Sequence, residues 1–172
     1  MEKLQEAGSH PSVSTYNIVV GGLWNCRKRE EALRLLKQMM EKGLDPNVVT
    51  YNVLASCLCR DGLVDEALGL VGHMEDCGFR PSVITYNTLI HGFCRANRIN
   101  AAIDVLVEMV SKGCKPTDAT YVRLVEGMAY HGHKAEAMEV ARELVERVML
   151  SQSALRRLRN AIPVRNLHEK VG

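Results

Sequence analysis

The chain has 172 residues, of which 47% are apolar and 24% charged, and its net charge is +2. Such a composition can bury a core, which excludes a disordered polymer and a histone-like polycation, and no apolar run approaches the ~18 residues of a membrane span. Aromatic residues make up only 5%, so the core has to be built from Leu, Val, Ile, Ala and Met.

The chain opens with MEKLQEAG, which reads as the end of a helix rather than as a signal or transit peptide. Residues 1–12 are therefore expected to be the tail of a preceding unit. From there a strict period sets in. Pro11, Pro46, Pro81 and Pro116 stand 35 residues apart, and so do Thr15-Tyr16, Thr50-Tyr51, Thr85-Tyr86 and Thr120-Tyr121. Gly8, Gly43, Gly78 and Gly113 precede each Pro by three. Ala32, Ala67, Ala102 and Ala137 share the period, as do Met39, Met74, Met109 and Leu144. A repeat without insertion or deletion means one structural object used several times.

Each unit reads as two helices. In the second unit, Tyr51, Leu54 and Leu58 form one stripe, Arg60-Asp61-Gly62 breaks it, and Leu63, Ala67, Leu70, Val71 and Met74 form another. Gly78 then stops the helix and Pro81 follows. The third unit repeats this with Tyr86, Leu89 and Phe93, then Ala102, Ile103, Leu106 and Met109. Helices this short cannot hide their apolar faces alone, so neighbouring units must stack. The predicted fold is all-α, with units at 13–47, 48–82, 83–117 and a degenerate fourth at 118–152.

In the fourth unit Val148 replaces the stop Gly and Ser151 the Pro. Ser153 is expected to N-cap a short helix over 154–162, before Pro163. Residues 153–172 carry Arg156, Arg157, Arg159, Arg165 and Lys170 against Glu169 alone. They read as a basic capping helix and tail, whose polar outer face would close the stack. The rest of the chain is slightly acidic, so any polyanion binding there must rest on local placement of charge.

The six Cys include no CxxC pair, and Cys57-Leu-Cys59 is too tight for a common zinc pair. They are read as free, mostly buried thiols in a reducing compartment. His131-Gly-His133 is read as turn chemistry. The Met stripe is read as core filler, Trp24, Cys59 and Cys94 as occupants of one packing site, and the Tyr residues as inter-helix packing. No convergent carboxylates, Ser/His/Asp set, phosphate loop or metal set stands out, so no catalysis, cofactor or small-molecule substrate is expected.

A 35-residue helical hairpin that opens with Val-x-Thr-Tyr-Asn and closes with Gly-x-x-Pro resembles the pentatricopeptide repeat family, in its plain 35-residue class. Val48-Val49-Thr50-Tyr51-Asn52 and Val83-Ile84-Thr85-Tyr86-Asn87 carry the likeness most closely. The resemblance implies a right-handed α-solenoid of helix-turn-helix repeats. It also implies single-stranded RNA binding in a mitochondrion or chloroplast, one base per unit, with N-terminal units toward the RNA 5′ end. It points to three positions per unit. The residue after the Tyr and the residue after the Pro read the base, which selects Asn17, Asn47, Asn52, Ser82, Asn87 and Thr117. The residue two before the Tyr clamps it, which selects Ser14, Val49, Ile84 and Ala119.

Asn offers a donor and an acceptor to a Watson–Crick edge, yet it is a poor helix-interior residue, so its recurrence suggests a use. The post-Pro residues are also good N-cap types. The pairings lean to cytosine over uracil, giving an expected core 5′-C-C-(C/U)-3′. In the fourth unit Val122 and Gln152 leave the base unread. Arg60 and Arg95, at equivalent places near the end of a first helix, and Lys28 and Arg98 three residues on, are candidate phosphate contacts. The competing reading is a protein-interaction scaffold within an organellar complex, and the irregular fourth unit favours it locally.

Overall fold

The computed structural model describes residues 11–162. Most of the expected N-terminal tail, and the end of the basic segment with Arg165 and Lys170, lie outside the described residues. Within them the chain is helical and has no strand. The helices are α1 (Val13–Asn25), α2 (Arg29–Glu41), α3 (Val48–Arg60), α4 (Val64–Asp76), α5 (Val83–Arg95), α6 (Ile99–Ser111), α7 (Asp118–Tyr130), α8 (Lys134–Glu146) and α9 (Gln152–Ala161). The first eight are each 13 residues long and pair as four hairpins in the 35-residue register.

The local rules behind this regularity can be read at each helix end. First helices start on a polar cap. The Asn47 Oδ1 accepts from the Val49 and Thr50 amides at 3.0 and 3.1 Å, and the Thr50 hydroxyl accepts from the Asn47 amide at 3.1 Å. Ser82 with Thr85 and Thr117 with Thr120 form the same reciprocal box, which satisfies donors that a helix start leaves unpaired. Thr50, Thr85 and Thr120 are buried in this role. The 35-residue period marks that Thr as a repeat position without showing its capping role.

Helix ends are made by left-handed residues at two places per unit. Between the helices of a hairpin stand Arg27, Gly62, Asn97 and Gly132, and after each second helix stand Gly43, Gly78, Gly113 and Val148, all with positive φ. The residue after each of the latter donates its amide back into the last turn, as Leu44 does to the Met39 carbonyl at 3.1 Å and Met149 to the Leu144 carbonyl at 2.8 Å. Val148 thus keeps the helix stop with a β-branched side chain at φ 58°, a conformation that disfavours any Cβ.

The chain divides between Pro81 and Ser82 into two compact units. In the first, α1 packs on α2 and on α3, and α3 on α4. Tyr16, Trp24, Met39, Tyr51, Leu54 and Met74 are buried there, as the apolar stripes require. The Trp24 indole N–H donates to the Asp61 carboxylate at 2.7 Å, tying the first hairpin to the turn of the second.

In the second unit α5 packs on α6 and α7, and α7 on α6, α8 and α9. Its core runs from Phe93 and Met109 to a terminal cluster of Tyr121, Val125, Ala137, Met138, Leu155 and Leu158. The buried Tyr and Met residues hold the packing places that periodicity assigns them, and so do Trp24, Cys59 and Cys94.

Helix α9 begins at Gln152, and its N-cap is Ser151, not Ser153 as expected; the Ser151 Oγ accepts from the Ala154 amide at 3.2 Å. The cause is long-range. The Asp118 carboxylate, in the first turn of α7, accepts from both the amide and the hydroxyl of Ser151 and fixes that residue as the helix start. All six cysteines are free, but only Cys57, Cys59 and Cys94 are buried. His131 and His133 flank Gly132 in the α7–α8 turn, and His131 Nε2–H donates to the Cys94 carbonyl at 2.7 Å.

Candidate nucleic-acid interface

The first helix of each hairpin carries the candidate base contacts. The clamp and post-Tyr positions are three apart, so Ser14 with Asn17, Val49 with Asn52, Ile84 with Asn87 and Ala119 with Val122 each share one face near the helix start. The clamp residues are all exposed. Val49 and Ile84 keep 56% and 67% of their surface in water, an unusual place for β-branched apolar side chains without a partner.

The amides differ from one another. Asn52 and Asn87 are half-buried, whereas Asn17 is only 4% exposed. The Asn17 Nδ2 and the Asn87 Oδ1 are buried without a hydrogen-bond partner, and a buried polar atom left so costs about 1–3 kcal/mol. Asn47, Ser82 and Thr117 use their side chains in the capping boxes of α3, α5 and α7, which directs them to the same helix starts. Capping employs Asn47 Oδ1 and leaves its amide hydrogens unused.

The basic candidates divide. Arg60 donates to the Asn25 side-chain oxygen and to Cys57 Sγ, so protein groups already hold it. Lys28 pairs with Glu31 at 3.2 Å, and Arg98 lies 5.1 Å over the Phe93 ring. Arg95 instead lines an open pocket of about 350 Å3 between α5 and α7, together with His91, Arg123, Glu126 and Tyr130.

That pocket holds more basic than acidic groups. Burial, with the Arg123 and Arg95 guanidiniums, pulls the His91 imidazole below its ordinary value, while Glu126 opposes the shift. At the pocket wall Gly127 lets α5 and α7 approach closely: a Cβ there would lie 2.4 Å from the Cys94 Cβ. Burial pushes the Cys94 and Cys59 thiols up to about 11, so neither is a nucleophile near neutrality. Sequence reading missed Arg123, because the same position holds Ile18, Val53 and Thr88 in the other units and no periodicity marks it.

By sequence, residues 11–60, 46–95 and 81–130 match the PPR repeat family. The chain belongs to that family. Among curated proteins, none matches it in sequence. Among solved structures it is similar to the pentatricopeptide repeat protein PPR10 in complex with an 18-nt psaJ RNA element, at 26% identity and a TM-score of 0.81. The match covers 91% of this chain and 23% of PPR10, so the chain spans about a quarter of that protein's length. A second structure, of the pentatricopeptide repeat protein PPR10 from maize, matches at 26% identity and a TM-score of 0.76, over 93% of this chain and 23% of that one. The PPR domain of Arabidopsis thaliana protein-only RNase P 1, solved with tRNA, shares the fold at 20% identity and a TM-score of 0.63, covering 92% of this chain and 84% of that domain. The all-α architecture of stacked PPR hairpins is thus the α-solenoid class expected from the sequence.

Proposed function

We propose that the chain binds unpaired RNA along the starts of its first helices, one base per repeat, with a preference for cytosine over uracil, as part of organellar RNA processing, stability or translation. The observation that carries this reading is the exposure of Val49 and Ile84 one turn before Asn52 and Asn87. An apolar side chain that is free to cover the face of a base stands beside an amide that can meet its edge. The RNA complex of the similar PPR10 supports the same reading.

Asn47 and Ser82 lie at the same helix starts, and Asn17 contributes only if its buried amide turns outward. Arg95 supplies a phosphate contact, while Arg60, Lys28 and Arg98 stay with their protein partners. The variants Asn52→Val and Asn87→Val test the reading. Valine already stands at that place in the fourth repeat, so the fold tolerates it. Together they should weaken oligo-C binding at least tenfold, since a base-edge amide contact carries about 1–3 kcal/mol. Unchanged affinity would refute base reading by these residues.

A scaffold role retains one observation in its favour. Ile103, Val107 and Val110 leave an exposed apolar stripe on α6.

A further inference from the structure

The second helix of each repeat ends on two side chains one turn apart. In the third and fourth repeats they form ion pairs, Glu108 with Lys112 at 2.6 Å and Glu143 with Arg147. In the first repeat they are Gln38 and Lys42. The second repeat departs from this pattern and places His73 and Cys77 there, both exposed at the end of α4. Side chains four residues apart share a helix face, so imidazole and thiol meet: His73 Nδ1 lies 3.7 Å from Cys77 Sγ.

A third donor atom comes from α3, the first helix of the same hairpin. The Tyr51 hydroxyl lies 3.2 Å from His73 Nδ1 and donates to Cys77 Sγ at 3.5 Å. Its counterpart Tyr16 buries the same hydroxyl without a partner, so this engagement belongs to the second repeat and not to the repeat pattern. Nitrogen, oxygen and sulfur thus form a triangle with sides of 3.2, 3.5 and 3.7 Å. A tetrahedral zinc ion, with bonds of about 2.0–2.3 Å, sets neighbouring ligand atoms about 3.3–3.7 Å apart. Tyr51 is buried, with the Phe79 ring 5.8 Å from its own, while His73 and Cys77 keep the cluster open to water.

We propose that His73 Nδ1, Cys77 Sγ and Tyr51 Oη bind one divalent ion of the zinc class, with water in the fourth position. His-x-x-x-Cys on one helix has the spacing of half a structural zinc site, and imidazole with thiolate is a donor set that suits zinc. The thiol yields its proton to water as the ion binds. Before any ion binds, the hydrogen bond to Cys77, with burial, pushes the Tyr51 hydroxyl up to about 12. Bound zinc lowers water from about 15.7 to about 7, a larger drop than this phenol needs. The letters alone show only His73 and Cys77, because the third donor arrives from another helix. None of the residues assigned to RNA contact takes part, so the inference stands apart from that reading.

The test titrates the reduced chain with Co2+, a spectroscopic stand-in for zinc, and then with Zn2+. The wild type should take up one Co2+ per chain, show a thiolate-to-cobalt charge-transfer band with the strong visible bands of a four-coordinate ion, and lose both to Zn2+. The H73E/C77K variant installs the pair that the third repeat carries at this place, which keeps the fold, and it should show neither band. Y51F and H73Q should each weaken Zn2+ binding by about tenfold or more, the loss expected when a ligand set is disturbed. C26S/C114S, which removes the other two thiols that are not buried, should bind like the wild type. Failure of the wild type to take up one ion per chain overturns the site. So does a charge-transfer band that survives H73E/C77K or vanishes in C26S/C114S, or a Zn2+ affinity unchanged in Y51F or H73Q.

Discussion

Asp118 and Ser151, 33 residues apart, join the start of α7 to the start of α9: the carboxylate accepts from the Ser151 amide at 3.1 Å and from its hydroxyl. These bonds from Ser151, with help from the Arg157 guanidinium, hold the Asp118 carboxyl below its ordinary value of 3.8. A carboxyl depressed in the folded state stabilises above its unfolded pKa, and that contribution is lost as pH falls through the folded value. The melting temperature of wild type should therefore exceed that of Asp118→Ala by a constant margin from pH 5 to 8. The margin should narrow once the pH falls below 3.8. Thermal melts of both proteins across that range check it, and a margin that widens on acidification would contradict it.

Gly127 and Gly22 occupy the same repeat position in different surroundings. A Cβ on Gly127 meets the Cys94 Cβ at 2.4 Å, and one on Gly22 meets nothing within 4 Å. Gly127→Ala should destabilise by about 1–3 kcal/mol through overpacking. Gly22→Ala should stabilise by up to about 1 kcal/mol through helix propensity. Urea titrations of the two variants give the comparison, in which the opposite signs are the expected result.

Val148 holds a left-handed conformation with 91% of its surface exposed, so its side chain gains no packing in return for the strain. Val148→Gly should raise stability by about 1 kcal/mol. Its effect should fall on α8 and α9, read by slower amide exchange there. Faster exchange would show that Val148 does something beyond ending α8.

Leu158 ties α9 into the terminal core and is 1% exposed. Leu158→Ala should cost about 2–5 kcal/mol, the range for emptying a buried leucine site. A polar cap that merely covers the stack would lose far less, so the measured loss distinguishes a core helix from a lid.

Most of the fold could be read from the repeat itself, because Thr-Tyr, Ala and Met residues at a constant interval mark burial that every unit must solve in the same way. The helix stops were legible where Gly stands, at Gly43, Gly78 and Gly113, and less so where Arg27, Asn97 and Val148 take the same left-handed turn without glycine's freedom. The register of α9 was not legible. Ser151 and Ser153 are equally good caps by type, and only the distant Asp118 decides between them. The candidate site was legible as positions but not as states. Nothing in a pattern of letters distinguishes Asn17, which is buried, from Asn52 and Asn87, which are not. Nor does it show that Asn25 and Cys57 engage Arg60 while Arg95 opens onto a pocket.

The measurement closest to the central claim is a fluorescence anisotropy titration of this chain against labelled oligo-C and oligo-A of equal length. Amides and exposed clamps that recognise bases should give oligo-C about a tenfold or greater advantage, from discrimination of about 1–3 kcal/mol at each reading position. Equal affinity for the two polymers would mean that the chain meets RNA through its phosphates alone, and would contradict base reading by Asn52 and Asn87.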